Sequence, residues 1–162
     1  MSLLVNVRPA VVGDRDSIGR LGALLVTEHH DFDAKRFLSP TPDIARRYGD
    51  FLLSRSELRD MIVLVAEQDS AVVGYAFGGM EGNDYMALRG TAGALYDLVV
   101  DPDHRRQGIG MTLLKASLDA LAKLGAPRVV LFTAEKNHGA QQMFELAGFR
   151  RTMIEMTREL DA

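Results

Sequence analysis

The sequence predicts a mixed α/β fold in which a mostly antiparallel central sheet is flanked by helices. Three observations predict it. Strand patterns come first as a meander, with Met61–Ala66 and Val72–Phe77 joined by the turn pair Asp69-Ser70, and Leu95–Val100 following. Strands then alternate with helices towards the C-terminus, the order of an α/β sheet. Two early segments repeat apolar residues at helical spacing, Ile18, Leu21, Leu24 and Leu25 in one and Ile44, Tyr48, Phe51 and Leu52 in the other.

The elements follow in order. Leu4–Arg8 is a first strand stopped by Pro9, and Asp14 caps a helix running to about Glu28. The stretch H-H-D-F-D-A-K-R-F is irregular; its histidines and aspartates lack a metal-ligand spacing, so a loop bordering a pocket or plain surface is expected there, and no metal. Ser39-Pro40-Thr41-Pro42-Asp43 is a turn cluster that starts a second helix ending near Ser54. Met61–Ala66 is an almost unbroken apolar run suited to a strand buried on both faces. The five glycines of Gly78–Gly93 predict a flexible turn or a bulged strand. After Leu95–Val100 comes a helix with Leu114, Leu118 and Leu121 on one stripe, stopped by Gly125-Ala126-Pro127. Arg128–Thr133 is a strand, Asn137–Ala147 a short helix closed by Gly148, and Phe149–Met156 a last strand.

Composition bounds the function. The 162 residues fit one domain, and 47% apolar with 25% charged residues matches an ordinary globular protein. A net charge of −3 argues against general nucleic-acid binding, and the absence of cysteine removes disulfides, thiolate metal sites and a Cys nucleophile. No apolar run reaches membrane-spanning length and no signal pattern opens the chain, so a cytoplasmic enzyme is the expectation.

The stretch from Leu95 to Leu124 organises the rest. A strand ends at Val99-Val100, Asp101-Pro102-Asp103 breaks it, and Arg105-Arg106-Gln107-Gly108-Ile109-Gly110-Met111 leads into a helix. Amides of a first helical turn have no intrahelical partner, and the macrodipole adds roughly half a positive charge there. Glycines allow close backbone approach and the Arg and Gln side chains add donors, which together suit a pyrophosphate. No Gly-Lys-Ser/Thr ending is present for a Walker loop, and Leu113 stands where a dinucleotide fingerprint needs a small residue. An ordinary turn with solubilising arginines is the alternative.

The order R-R-Q-G-I-G after L-V-V-D-P-D-H resembles the acetyl-CoA loop of the GNAT superfamily of N-acetyltransferases, Arg/Gln-x-x-Gly-x-Gly/Ala. Asn137, Ala140, Phe144, Gly148 and Phe149 resemble its second block. The clear resemblance spans about Leu95–Arg151, and the first strand and helix look similar though less distinctively. It implies a single GNAT-like domain over residues 1–162, acetyl-CoA as co-substrate and an amine acceptor as partner, with a homodimer permitted. It also implies that backbone groups of Leu98, Val99 and Val100 pair with the pantetheine arm, one N–H serving as oxyanion donor. Residues 105–111 (Arg105, Arg106, Gln107, Gly108, Ile109, Gly110, Met111) would hold the pyrophosphate, Asn137 would contact the pantetheine besides capping its helix, and Phe144 would pack against the arm.

The chain departs from the family pattern in two places. Many relatives carry a Tyr acid seven residues after the Asn, where Phe144 has no proton to give. Ribosomal-protein alanine acetyltransferases carry a Glu base five residues before it, where this chain has Phe132. Asp97 is then the first candidate base and Glu81 the second, with Tyr96 expected by alternation on the face opposite Asp97. The predicted reaction is direct acetyl transfer to a primary amine of a small metabolite or protein. A catalytically silent acyl-CoA-binding module and a Rossmann-type nucleotide domain are the alternatives.

Overall fold

The computed structural model describes residues 4–160. Its elements in chain order are β1 (Asn6–Pro9), α1 (Arg15–Phe32), α2 (Ile44–Ser56), β2 (Met61–Gln68), β3 (Ala71–Glu81), β4 (Ala92–Val100), α3 (Ile109–Lys123), β5 (Val129–Leu131) and α4 (His138–Leu146). The strands lie in that order across one sheet, β1 to β4 antiparallel and β5 parallel to β4. The mostly antiparallel α/β fold is therefore as expected. Asp69 and Ser70 both take positive φ, 50° and 62°, the twist that a two-residue hairpin turn requires. The parallel step from β4 to β5 needs a crossover, and α3 supplies it.

Both faces of the sheet are covered. Ile62, Leu64 and Ala66 of β2 pack with Leu95, Leu113, Leu114, Leu121 and Phe144 beneath α3 and α4. Val63 and Val65 of the same strand pack on the other face with Ile18, Leu21, Leu52, Tyr75 and Phe77 beneath α1 and α2. Two buried faces explain why β2 is an unbroken apolar run. Among the described residues, no helix is long and apolar enough to cross a membrane.

Several boundaries move. Helix α1 runs on to Phe32 because His29 Nδ1 lies 2.8 Å from the Leu25 carbonyl and its ring packs edge-on against Phe32 and Phe37. Strand β3 continues through Gly78 and Gly79 to Glu81, leaving 82–91 as the loop. Strand β5 keeps only three residues. The expected last strand at Phe149–Met156 does not form: residues 150–160 are all exposed and pair with no strand. Arg151 binds Glu145 and Gln141 of α4, and Arg36 pairs with Glu155, so the segment's side-chain partners lie in α4 and in the loop after α1.

Candidate active site

Strand β4 carries the site, and a bulge decides how. Phe77 pairs with Asp97 while Gly78 pairs with Leu95, so Tyr96 is the extra residue. Gly93 N–H donates to Arg128 O towards β5, whereas Asp101 N–H donates to Val73 O towards β3. The bulge has therefore switched the parity of the strand. Past it, Leu98 and Val100 turn their N–H groups to the β5 side, and Val99 turns its own to β3. The β4–β5 ladder ends at Leu95 and Leu131, so these two amides face a gap between diverging strands. Val99 adds a buried side chain to the core beneath α1 and α2.

The chain then turns through Pro102–His104 into α3. None of the N–H groups from Arg106 to Met111 has an acceptor among the described residues; the first bond of the helix is Thr112 N–H to Gly108 O, 3.0 Å. Gly108 sits at φ 80°, and a Cβ there would point into open space. Ile109 is fully buried in the core beneath α3, leaving only its amide for a ligand. Arg106 takes positive φ, 59°, and its side chain and that of Gln107 are exposed. Arg105 is spent differently from expectation: its guanidinium donates to Glu28 of α1 at 2.6 Å and to Val100 O at 3.0 Å. With Arg20–Asp101 at 2.8 Å it braces the loop against α1 rather than presenting a free cation.

From the other side α4 closes the cradle. Asn137 Oδ1 accepts from Ala140 N–H at 3.2 Å, capping the helix as Asn does well. Phe144 is buried and stacks edge-on with Phe149. Met143, which the sequence did not single out, lies over Gly110. Its only signal was its place beside Phe144.

Across the gap the bulge corrects the expectation that Tyr96 and Asp97 face opposite ways. The Tyr96 ring lies 5.0 Å from Phe77, and Asp97 reaches Tyr75; both neighbours belong to the α1/α2 face. The two residues have different surroundings. Asp97 is 8% exposed, and its Oδ2 accepts from Tyr48 Oη at 2.8 Å and Tyr75 Oη at 2.9 Å. Tyr48 reaches it by lying across Gly22, where any side chain would run into the ring. Burial pushes the Asp97 carboxyl above its ordinary range, with the two phenols opposing. Tyr96 is 40% exposed and donates to Glu81 Oε1 at 2.7 Å; burial and that carboxylate hold its phenol above the ordinary value. Arg89 binds the other Glu81 oxygen at 2.5 Å. Glu81, Tyr96, Leu95, Leu131 and Phe132 line a cleft of about 120 Å³ at the point where β4 and β5 part.

A family model of the GNAT acetyltransferases matches residues 25–149. The chain belongs to that family. Over 81 residues it is 33% identical to a mycothiol acetyltransferase of Clavibacter michiganensis, covering 50% of this chain and 26% of that one. Over 60 residues it is 37% identical to the ribosomal protein bS18-alanine N-acetyltransferase of Escherichia coli, covering 37% of this chain and 40% of that one. The chain thus spans well under half the length of these curated relatives. A predicted acetyltransferase of Clostridium acetobutylicum, solved with acetyl-CoA, shares the fold at a TM-score of 0.71 and 14% identity, covering 95% of this chain and 96% of that one.

The strand–loop–helix junction of this chain places the Leu98 and Val100 amides and the unpaired amides from Arg106 to Met111 along one continuous stretch. The chain's acidic groups meet from distant positions: Tyr48, Tyr75 and Asp97 form one cluster, and Glu81, Arg89 and Tyr96 another.

Proposed function

We propose that this GNAT acetyltransferase uses acetyl-CoA to transfer an acetyl group directly to a primary amine. The observation that carries the proposal is the run of unpaired amides from Arg106 to Met111, directly below a strand whose edge has opened. The run would hold the diphosphate, each charge-assisted bond contributing about 1.5–3 kcal/mol net. The Leu98 and Val100 amides would pair with the pantetheine arm like an added strand, and one of them would donate to the thioester oxygen. Asn137, with its Oδ1 committed to the cap, keeps its amide nitrogen for the arm.

The amine enters the cleft beside Glu81 and Tyr96. Glu81 takes the ammonium proton, Arg89 and the Tyr96 hydroxyl hold its carboxylate in place, and the neutral nitrogen attacks the thioester carbon. The C–S bond breaks as the amide forms, and the second nitrogen proton passes to water. A thiol of pKa about 8.5 leaves as thiolate without an acid, so Phe144 in place of a Tyr does not block the reaction. Tyr96, whose hydroxyl donates to Glu81, would relay the proton that Glu81 has taken to the departing thiolate and regain its own from Glu81. Asp97, clasped by two phenols, sets the position of β4 against α2 instead of exchanging protons. This reverses the order of preference expected for the two acids.

The buried, proton-free Phe144 also favours a second reading, a non-catalytic acyl-CoA-binding module of the same fold. Thioester consumption with a panel of amines separates the two. Turnover on any primary amine, lost in Glu81→Gln, supports the enzyme; tight CoA binding with no turnover across the panel supports the module.

A further inference from the structure

We propose that the acceptor is an arylalkylamine: one primary amine on a short arm from an aromatic ring, bearing no carboxylate, no row of hydroxyls and no second ammonium. The inference rests on the reading of the cleft at Glu81 and Tyr96 as the place where the amine meets the thioester, and it names what the rest of that cleft would hold.

The inventory of polar side chains in the cleft carries it. Of the residues that line the cleft, only Glu81 and Tyr96 have polar side chains; the others are alanine, valine, leucine and phenylalanine. Glu81 accepts from Tyr96 and Arg89, and the roughly four lone-pair sites of a carboxylate leave room for one ammonium beside them. Nothing in the lining matches a second charge. Arg89 is already paired with Glu81 and Asp84, so its guanidinium is not free for a carboxylate on the acceptor. Asp60, the other carboxylate whose field reaches Tyr96, lies outside the lining. A carboxylate, a hydroxyl or a second ammonium would therefore leave water for apolar walls without gaining a partner, which costs binding.

The apolar part of the cleft is aromatic in character. Tyr96 is half-exposed, and its ring lies 5.0 Å from Phe77, which meets Phe51 of α2 edge-on at 5.6 Å. Phe132 stands on the β5 side of the cleft, 85% exposed. A ring entering between Tyr96 and Phe132 would cover both, in the edge-on or offset contacts that aromatic pairs prefer. The size agrees: the cleft holds about 120 Å³, and an apolar cavity of roughly 150 Å³ takes up a benzene.

The test compares kcat/KM with acetyl-CoA for phenethylamine, hexylamine, phenylalanine, cadaverine and glucosamine. Independently of turnover, it follows amide shifts as phenethylamine is added to nitrogen-15-labelled protein saturated with CoA. Phenethylamine should lead hexylamine by several-fold and the other three by about a hundredfold or more. Phe132→Ala changes an exposed residue and should stay folded by circular dichroism. It should raise KM for phenethylamine about tenfold at nearly unchanged kcat, while Phe132→Tyr keeps the parent KM. A preference for any of the other four amines, with turnover lost in Glu81→Gln, keeps the enzyme and overturns the inference. No turnover on any amine, with saturable shifts at Tyr96, Leu131 and Phe132, supports the aromatic subsite and overturns the catalytic reading instead. Neither turnover nor shifts overturns both.

Discussion

The two sides of the cleft are built on different plans. The proposed coenzyme side comes mainly from one continuous run, Leu98 to Met111, with Asn137 added from the start of α4, and works chiefly through backbone amides exposed by a bulge, a diverging strand and a helix start. The proposed acceptor side gathers Tyr48 from α2, Tyr75 and Glu81 from β3, Arg89 from a loop and Tyr96 and Asp97 from β4, and it works through side chains. A site made of backbone tolerates change in side-chain chemistry but not in backbone conformation. A site made of side chains has the opposite sensitivity.

The largest effect should come from the backbone side. Gly108→Val forces a β-branched residue into φ 80° and fills the space above the amides. Losing two anion bonds of about 1.5 kcal/mol each lowers CoA affinity roughly a hundredfold. Calorimetry should show that loss while circular dichroism stays unchanged; unaltered affinity would place the diphosphate elsewhere. Next in size, Glu81→Gln should lower kcat by about 10²–10⁴-fold with little change in CoA affinity, the reach of general base catalysis. If Asp97→Asn loses more rate than Glu81→Gln, the roles of the two acids must be exchanged.

Asp97 gives a prediction of opposite sign to most carboxylates. Its folded pKa is raised by burial, so the folded protein binds the extra proton between the unfolded value, about 3.9, and the folded one. Stability from this group therefore falls as pH rises through that window. Melting curves of Asp97→Asn against the parent should favour the variant progressively as pH rises from acid to neutral. A difference independent of pH would contradict the burial argument. The smallest effect is expected from Arg105→Ala, since its guanidinium braces the loop to Glu28 and Val100. An exposed pair is worth at most about 1 kcal/mol, so CoA affinity should fall by less than about fivefold. A drop beyond tenfold would return Arg105 to the phosphate.

The same contrast explains what the sequence disclosed. The anion cradle lies within a few consecutive residues, so strand, breaker, glycines and helix are all visible locally. So are the two-faced burial of β2 and the Asp69-Ser70 turn. The bulge at Tyr96 was hidden because one inserted residue leaves the hydrophobic pattern nearly intact yet reverses every later amide. Arg105 reads as a free cation until Glu28, 77 residues away, is brought beside it. Residues 149–156 carry a genuine strand pattern, but a pattern specifies a face to bury and not the sheet that buries it.

The most direct measurement follows individual amides while CoA is titrated into nitrogen-15-labelled protein. The largest shifts should fall on the N–H groups of Gly108, Ile109, Gly110 and Met111, with Leu98 and Val100 next and Val99 nearly still. Saturable binding that leaves the 108–111 amides unmoved would contradict the account.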